Sequence, residues 1–320
     1  MAEPPAYLLV ALSGRALAVA AGRSGRRAFV LDLFGDTDTR SHAADSLIVA
    51  GSLEHGFDQA SLLAGTERLA PAGSRPPYGL VYGSGLEDRP QLLAALGRGR
   101  RLYGNLPETV RLTKDPRVFF AQLDRLKIPH PAVSFTRPPD PEDWLVKRIG
   151  ASGGSHVTAA AAATTDLADR YYQRRATGRA IGVSFLADGR RAFLLGCSEQ
   201  WAWNGDTGSF RFGGALQPAP LGSKLTGELP GLVDAIARAF GLVGLNSLDL
   251  LVDGENFAVI EVNPRPGANL DIFDGYDPAG LFGLHLRACE GELPSRWQVP
   301  PRATAMAVVY ADRPARVPAD

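Results

Sequence analysis

The sequence contains few of the residues that build covalent or metal-bound scaffolds. Its 320 residues include two cysteines, Cys197 and Cys289, and five histidines. Two cysteines so far apart exclude a disulfide framework and a cysteine-type metal site, and neither stands beside a histidine that would activate its thiol. We therefore expect both cysteines to fill space in the hydrophobic core.

The chain also lacks net charge and long hydrophobic runs. Its 34 basic residues balance 34 acidic residues, so no overall field attracts it to nucleic acid or to an anionic membrane. The first apolar run stops at Ser13, and an acid and two prolines precede it where a signal peptide would carry positive charge. With 45% hydrophobic and 21% charged residues, the composition is typical of a soluble globular protein. We expect a cytoplasmic protein that acts on small molecules.

Lysine is scarce as well. Only four of the 34 basic residues are lysines, at positions 114, 127, 147 and 224. Arginine therefore serves almost everywhere that a general positive charge is sufficient. A lysine ammonium is a compact point charge suited to phosphate, whereas a guanidinium is a planar fork. The few lysines are thus candidates for phosphate contacts.

The first third of the chain alternates short apolar runs with helical patterns. Strand patterns occupy residues 7–12, 28–34, 45–51 and 78–85, and helical patterns occupy residues 14–25, 58–69 and 90–100. This alternation predicts a parallel sheet covered on both faces, with ligand-binding loops after the strand ends. No G-x-G-x-x-G occurs there, which disfavours a dinucleotide site. The arginine cluster at residues 98–101 is interpreted as a solvated helix end.

After residue 114 the pattern changes. A helical stretch leads into a proline-rich connector, a strand at residues 144–149 and a glycine-rich loop at residues 150–155. Several strands follow, with a hairpin turn at Asp188-Gly189 and a helix at residues 227–241. Two adjacent strands, residues 247–252 and 256–262, precede a last strand near the carboxyl end. This part is expected to be an α+β module.

A polar constellation lies on those two adjacent strands. Asp249 is on the first, and Glu261 and Asn263 are on the second, in the spacing D-x(11)-E-x-N. A hairpin loop of odd length brings Asp249 and Glu261 to the same face, whereas an even loop puts them on opposite faces. On one face, these oxygens suit Mg²⁺. The alternative is that they are polar residues on the solvent side of an antiparallel sheet. Arg265, held between two prolines, would add a phosphate donor.

Lys147 precedes the glycine-rich loop GASGGS. Its ammonium is predicted to point into a site over which the loop folds, and the backbone N–H groups at Gly150, Gly153 and Gly154 would cradle phosphates. In a Walker loop the lysine follows the glycines, so this is a different arrangement. Glycine and serine also form ordinary linkers. The lysine before the loop and the carboxylates after it in the chain favour a phosphate-binding loop over a linker.

Together these residues resemble a known family. Lys114, Lys147 with its loop, Asp249 and the EVNPR sequence at 261–265 are similar to the ordered motifs of the ATP-grasp superfamily of carboxylate-amine ligases, over residues 114–290. More narrowly, GSGLED, KDPRVFF, IPHP, YYQRRATG and LLGCSEQ resemble the predicted ATP-dependent carboligases that include the tyramine-glutamate ligase of methanofuran biosynthesis.

The resemblance implies an ATP-grasp fold behind a Rossmann-like, parallel-sheet α/β domain. It divides the chain into a preceding domain at residues 1–112, a small subdomain with the glycine-rich lid at 113–186, and a carboxyl-terminal subdomain with the metal site at 187–320. It also implies that ATP and Mg²⁺ are the cofactors, with Mn²⁺ as an alternative ion, and that the protein forms a homodimer.

Residue roles also follow from the resemblance. The implied phosphate ligands are Lys114, Lys147, Gly153, Gly154 and Ser155. The implied adenine-reading hinge at residues 172–176 includes Gln173, Arg174 and Ala176. The implied holders of a pair of Mg²⁺ ions are Asp249, Glu261 and Asn263, and the implied catalytic residues are Arg265 and Lys147. Many relatives carry a glutamate near the hinge, where this chain has Arg174 and Arg179.

The implied reaction activates a carboxylate as an acyl phosphate, which an amine then converts to an amide. Glutamate and a tyramine-like amine are the implied substrates. Two alternatives remain open, namely a phosphotransferase of the same fold and a non-catalytic nucleotide-binding module.

Substrate contacts are less specified by the sequence. One interpretation of the aromatic residues is a wall that contacts an aromatic amine, and the other is ordinary hydrophobic core. These residues are Trp201, Trp203, Tyr171 and Tyr172. The candidates for carboxylate contacts are Arg211, Arg265 and residues 266–269, and those for the ammonium are Glu87 and Asp88. We interpret His130 and His156 as turn or loop residues.

Overall fold

The computed structural model describes residues 6–162, 168–203, 210–298 and 301–311. The first domain, residues 6–112, contains a five-stranded parallel sheet in the order β3-β2-β1-β6-β7 and a small hairpin of β4 and β5. Its strands are β1 (Ala6–Val10), β2 (Arg27–Asp32), β3 (Asp45–Ile48), β4 (Gly51–Ser52), β5 (Gly56–Phe57), β6 (Gly79–Tyr82) and β7 (Arg101–Tyr103). Its helices are α1 (Arg15–Arg23), α2 (Thr37–His42), α3 (Gln59–Leu69), α4 (Pro90–Leu96) and α5 (Pro107–Lys114), the last of which crosses the boundary at residue 112.

The parallel sheet is buried on both faces, as the alternating pattern predicts. Leu8 and Val10 of β1 face the cluster that contains Leu62 and Leu93, whereas Leu9 faces the cluster built on helix α1. A strand covered on both sides must be apolar at successive positions, which explains the continuous run at residues 7–12.

A short helical link, α6 (Pro116–Leu126), leads to a four-stranded antiparallel sheet, here called the small sheet. Its order is β10-β9-β11-β8. Its strands are β8 (Val133–Ser134), β9 (Trp144–Arg148), β10 (Thr158–Ala159) and β11 (Arg170–Arg174), accompanied by the 3₁₀ turns Pro141–Asp143 and Ala160–Ala162.

The remaining strands form a six-stranded antiparallel sheet, here called the large sheet, in the order β16-β15-β12-β13-β14-β17. They are β12 (Arg179–Asp188), β13 (Ala192–Ala202), β14 (Phe212–Gln217), β15 (Val243–Asp253), β16 (Asn256–Asn263) and β17 (Thr304–Ala307). The helices are α7 (Ser223–Phe240), α8 (Leu270–Phe273) and α9 (Gly280–Cys289).

The two faces of the large sheet have different covers. Helix α7 packs its apolar stripe, including Val233 and Ile236, against Val183 and Leu250. On the other face, Leu186 and Leu245 pack with helices α8 and α9, which also contact α1 of the first domain. One continuous core therefore joins the first domain to the large sheet. The mixed α/β fold expected from the sequence is confirmed, and the predicted domain boundaries stay predictions.

The expectation of a solvated arginine cluster holds for Arg98 and Arg101, which are exposed, and is wrong for Arg100. Within the cluster at residues 98–101, the side chain of Arg100 is 1% exposed. Its Nε donates to the carbonyl oxygen of Ala70 at 2.7 Å and its Nη1 to that of Leu96 at 2.9 Å, while Nη2 pairs with Glu67 at 2.6 Å. The guanidinium thus satisfies carbonyl groups at the ends of α3 and α4, where helices leave acceptors unpaired.

Both cysteines pack against hydrophobic clusters, and burial raises the pKa of each thiol to about 12. Contrary to the expectation, Cys289 does have a histidine neighbour, since its Sγ lies 3.9 Å from Nε2 of His285. That imidazole Nδ1 accepts from the N–H of Leu245 at 2.9 Å, and burial lowers the pKa of His285 to about 4. A neutral imidazole beside a neutral thiol is structural. Among the described helices, none is long and apolar enough to cross a membrane.

Candidate active site

The polar constellation is brought to one face by a β-bulge. The hairpin pairs Asp253 with Asn256, so its loop has an even number of residues, which is the case that by itself would put Asp249 and Glu261 on opposite faces. Further along, Leu250 pairs with Val259 but Asp249 pairs with Glu261, which leaves Ile260 as an extra residue. One inserted residue reverses the alternation on β16. Asp249 and Glu261 therefore stand directly opposite each other, despite the even loop.

Asn263 links the constellation to nearby cations. Its Nδ2 donates to Oδ2 of Asp249 at 2.9 Å, while its Oδ1 accepts from Nζ of Lys114 at 3.3 Å and from Nη2 of Arg265 at 3.4 Å. Lys114 also lies 3.4 Å from Oε2 of Glu261. Its side chain is only 7% exposed, so this positive charge is committed to the site. The amide oxygen of Asn263 is thus turned toward the positively charged side.

The two carboxylates perturb each other. Burial and the charge of Glu261 raise the pKa of Asp249 to about 7. Burial would raise the pKa of Glu261 too, but Lys114 and Lys147 outweigh it and hold that pKa well below its usual range. Two carboxylates this close bind a proton that one alone would release, and a divalent cation can replace that proton. The carboxylate oxygens of Asp249 and Glu261 therefore fit Mg²⁺, which prefers oxygen ligands. Asn263 would join them once its Oδ1 is released from Lys114 and Arg265.

Lys147 approaches the same carboxylates from the small sheet. It pairs with Tyr171 across strands β9 and β11, and Gln173, two residues along β11, lies on the same face. Burial lowers the pKa of Lys147, while Glu261 and Asp249 oppose that shift. Gln173 is 2% exposed, and its Nε2 is buried without a hydrogen-bond partner. An ammonium and an unpaired amide on one face fit a nucleotide's phosphates and base. The two other hinge candidates lie beyond Gln173, with Arg174 exposed and Ala176 half-buried.

The glycine-rich loop lies between the first domain and the β13–β14 connection. At Gly150, with φ of 74°, a Cβ would stand 2.7 Å from the Cα of Asp88. At Gly154, with φ of 78°, a Cβ would stand 1.8 Å from the carbonyl oxygen of Phe210. The N–H of Phe212 donates to the carbonyl of Gly153 at 3.1 Å, and Gly153 and Ser155 are exposed. Glycine is thus required for close approach at Gly150 and Gly154.

Beneath this loop lies a small cavity. Its lining includes Lys114, Arg148, His156, Tyr171 and Glu261. Its volume of about 30 Å³ equals that of about one water molecule in the liquid.

His156 lies in a turn, as expected, but its burial could not be predicted from the sequence. Its Nδ1 is buried without a partner, and burial lowers its pKa to about 4. The imidazole in the cavity is therefore neutral at pH 7. Its place directly after GASGGS is the signal that could have identified it as a site candidate.

Arg265 is held by the first domain. Its side chain is 8% exposed, and its Nε donates to Oε1 of Glu87 at 2.7 Å. Glu87 also accepts from the N–H groups of Gly85 at 2.6 Å and Leu86 at 3.0 Å. Glu87 is thus already engaged by donors, and its interpretation as a binder of a substrate ammonium is wrong. The neighbouring Asp88 has a 38% exposed side chain 3.7 Å from Arg89.

The remaining substrate candidates divide into core and surface. Tyr171 and Tyr172 belong to hydrophobic clusters, which confirms their core interpretation. Trp203 packs on Tyr310 with ring centroids 5.3 Å apart, and the guanidinium of Arg211 lies 4.0 Å from the Tyr310 ring. Trp201 is 40% exposed.

Two other polar side chains have partners outside the predicted roles. His130 contacts the carbonyl oxygen of Pro131 at 2.8 Å and the Asp124 carboxylate at 3.1 Å, which agrees with a turn residue. Gln200, which had no predicted role, donates to Oδ1 of Asp249 at 3.3 Å.

Comparisons with known proteins identify the fold. A family model described as an ATP-grasp domain matches residues 114–269. A biotin carboxylase complex from Campylobacter jejuni is similar in structure with a TM-score of 0.69 and 17% identity, over 90% of this chain and 72% of that one. The N5-carboxyaminoimidazole ribonucleotide synthetase from Thermus thermophilus has a TM-score of 0.69 and 18% identity, over 94% of this chain and 82% of that one.

A third structure was solved with nucleotide. It is the biotin carboxylase domain dimer of the Hydrogenobacter thermophilus 2-oxoglutarate carboxylase, in complex with MgADP, ADP and bicarbonate. Its TM-score is 0.68 at 14% identity, over 91% of this chain and 71% of that one. A search of curated proteins finds no match. Residues 114–269 are therefore an ATP-grasp domain, and the chain as a whole has the ATP-grasp fold of these carboxylase and synthetase structures.

Proposed function

We propose that the protein is an ATP- and Mg²⁺-dependent ligase that joins a carboxylate to an amine and releases ADP and phosphate. The observation that carries the proposal is the convergence of opposite charges from four elements, α5, β9, β15 and β16, and from the turn after β16, beside one glycine-rich loop. The converging side chains are Lys114, Lys147, Asp249, Glu261, Asn263 and Arg265.

The chain's own residues can perform the binding and orienting steps. Lys114 and Lys147 bind the phosphates, and Arg265 holds the transferring phosphoryl group. Asp249, Glu261 and Asn263 would hold Mg²⁺, which supplies charge neutralisation at the phosphoryl oxygens. The loop at residues 150–155 closes over the site and excludes water, which would otherwise hydrolyse an acyl phosphate.

The reaction balances in two displacements. A carboxylate oxygen of the acid forms a bond to the γ-phosphorus as the bond to the β-phosphate oxygen breaks, which gives an acyl phosphate and ADP. The neutral amine nitrogen then attacks the acyl carbon, phosphate leaves, and the amine loses a proton to give the amide. No protein nucleophile takes part.

For substrates, we propose glutamate as the acid and an aromatic amine such as tyramine as its partner. The narrower sequence resemblance supports this choice. The cluster of Trp203, Arg211 and Tyr310 also supports it, because the neighbouring Phe212 contacts the glycine-rich loop. An aromatic ring would stack in such a cluster. We further propose a homodimer, as in the Hydrogenobacter domain, which light scattering would test.

The decisive test is a panel assay. Purified protein with ATP and Mg²⁺ is incubated with amino acids and aromatic amines, including glutamate and tyramine, and ADP and a conjugate that has lost one water are measured. Amine-dependent ADP release with that conjugate supports the ligase. A phosphorylated product without an amine requirement identifies a phosphotransferase, and ATP binding without ADP identifies a non-catalytic module.

Matched lysine variants serve as the control. Lys114→Met removes a buried ammonium of the site, whereas Lys224→Met removes an exposed one from helix α7. We expect only the first to abolish ADP release. Equal losses in both variants would contradict the proposed site.

A further inference from the structure

The first domain fixes the backbone of the turn that carries Arg265. Nδ2 of Asn105 donates to the carbonyl oxygen of Pro264 at 2.9 Å. The hydroxyl of Tyr82 donates to the carbonyl oxygen of Asn105 at 2.8 Å and lies 3.3 Å from that of Pro264. Both side chains are 1% exposed. The carbonyl oxygen of Pro264 is therefore held by the buried amide of Asn105, which Tyr82 holds in turn, and its direction is set by the first domain.

Asn105 is itself fixed by the large sheet. Its Nδ2 also donates to Oδ1 of Asn246 at 2.8 Å, and its Oδ1 accepts from the N–H of Val243 at 2.8 Å. Asn246 in turn donates to the carbonyl oxygen of Gly244 at 2.8 Å. A buried network with its groups satisfied holds one arrangement, so the turn is anchored from both sides.

Glu87 fixes the guanidinium at the end of this turn. With Nε bound to Glu87, Nη1 donates to the carbonyl of Pro266 at 3.3 Å and Nη2 to Oδ1 of Asn263 at 3.4 Å. A guanidinium is planar and has five N–H donors, so these three bonds set its plane and leave about two donors for a ligand. Without the Nε bond, only the two longer bonds, at 3.3 and 3.4 Å, would hold the plane.

The pair is buried, so its charge balance matters. The side chains of Arg265 and Glu87 are 8% and 1% exposed. Removing one member of a buried pair leaves the other charge uncompensated, whereas a near-isosteric change mainly alters orientation and charge. Glu87 also accepts two backbone N–H groups, which hold its carboxylate still while it orients the arginine.

We propose that Glu87 is a positioning residue of the active site, through which the first domain orients Arg265 toward the phosphoryl group. The kinetic part of this inference rests on the proposed function, whereas the orientation of Arg265 can be observed without any substrate. Through Glu87 the first domain thus acts on the reaction by way of Arg265, and Glu87 itself touches no substrate.

The experiment uses the full chain and compares two Arg–Glu pairs. Glu87→Gln keeps the shape of the side chain but removes its charge, and Glu87→Asp keeps the charge at a shorter reach. Glu67→Gln is the matched control, because Glu67 pairs with the buried Arg100 at 2.6 Å within the first domain. The readouts are kcat and KM for ATP, thermal unfolding, and the ¹H–¹⁵Nε NMR signal of Arg265, assigned with Arg265→Lys.

We expect Glu87→Gln to lower kcat by about 10- to 100-fold, the range typical of lost outer partners of active-site groups, with little change in the KM for ATP. Glu87→Asp should recover part of this loss, and Glu67→Gln should leave kcat unchanged. In the Arg265→Lys background, Glu87→Gln should add less than about threefold, because both changes act on one interaction. The Arg265 Nε–H signal should shift and exchange faster in Glu87→Gln.

Two results would overturn the inference. One is losses in kcat that multiply in the double variant, and the other is an Arg265 Nε–H signal that Glu87→Gln leaves unmoved. If the wild-type protein releases no ADP with any substrate pair, the proposed function fails, while the NMR comparison still decides whether Glu87 orients Arg265.

Discussion

Asp32 in the first domain and Asp249 in the ATP-grasp domain are both aspartates on strands, but they differ in their hydrogen-bond donors and in the charges beside them. Asp32, 1% exposed, accepts from the N–H groups of Gly14, Phe34 and Gly35 at 3.0, 3.1 and 2.8 Å, and from the Thr39 hydroxyl at 3.4 Å. Every one of these donors is neutral and belongs to the first domain. The carboxylate is saturated by the loops that it organises.

Asp249 accepts fewer hydrogen bonds than Asp32 and lies opposite a second negative charge. It accepts amide hydrogen bonds from Gln200 and Asn263 at 3.3 and 2.9 Å, and it faces Glu261 across the ladder. Burial and Glu261 raise its pKa to about 7. A carboxylate whose oxygens all accept hydrogen bonds organises structure. A carboxylate with fewer donors, beside a second carboxylate, still has oxygen lone pairs that can bind a cation.

The largest expected effect is on activity in Asp249→Asn. The change keeps the side-chain shape but removes a charged oxygen from the proposed cation site, so ADP release should fall by at least about 10³-fold. The free energy of unfolding should not fall, because repulsion by Glu261 is removed. Both are measured directly, by ADP release and by urea unfolding. Activity within tenfold of wild type would break the distinction between the two aspartates.

Asp32→Ala should show the reverse pattern. Its loss leaves several donors without an acceptor, at about 1–3 kcal/mol for each group that stays buried and unpaired. We expect the free energy of unfolding, measured in urea, to fall by about 2–4 kcal/mol in total, because some of the four donors gain access to water once the carboxylate is gone. The kcat per folded molecule should be unchanged. A selective loss of kcat at full stability would show that Asp32 belongs to the site.

A smaller effect concerns pH in the metal-free protein. Because the pKa of Asp249 is raised to about 7, the folded protein keeps a proton that the unfolded chain releases near pH 4. The stability from this proton is complete at low pH and is lost as the pH rises to about 7. Glu261, whose pKa is lowered, acts in the opposite sense and at lower pH.

Urea unfolding in EDTA from pH 5 to pH 8 measures this effect. Wild type should lose stability across the range relative to Asp249→Asn, in which the proton is absent. Parallel curves for the two proteins would exclude the shared proton. Mn²⁺ binding with ADP, followed by electron paramagnetic resonance, should also be tighter at pH 8 than at pH 6, because the proton competes with the cation.

The smallest effects are expected at the cysteines. Burial raises the pKa of Cys197 and of Cys289 to about 12. Burial therefore has the same effect on the thiol pKa in the two hydrophobic clusters that the cysteines contact. In the folded protein neither thiol should react with iodoacetamide at pH 8, whereas both should react in urea. Alanine at either position should change kcat by less than about twofold. Rapid alkylation of Cys197 would show that burial differs between the regions after all.

Much of the ATP-grasp domain could be predicted from local pattern. The residue types at Lys114, Lys147, Asp249, Glu261 and Asn263 were identified together, and the structure brings all five within one cluster of charges. Strand alternation and the demand for glycine near a close backbone approach are short-range properties. They can be read from neighbouring residues, without knowledge of the partner strands.

Charge partners could not be predicted in the same way. The cluster at residues 98–101 gives no sign that Arg100 turns inward to carbonyl groups, and the GSGLED sequence gives no sign that Glu87 binds Arg265. Their partners lie 30 and 178 residues away along the chain. Such pairings depend on how elements pack, and solvation alone favours the exposed alternative.

The sequence by itself determined the strand and helix order, the glycine-rich loop and the set of carboxylates and lysines, because alternation and backbone freedom are encoded residue by residue. Only the tertiary structure decided which carboxylates face each other. The even hairpin loop would have separated Asp249 from Glu261, and the bulge at Ile260 reunited them. Register is a property of two strands together, and so is the orientation of Arg265, which the first domain sets through Glu87.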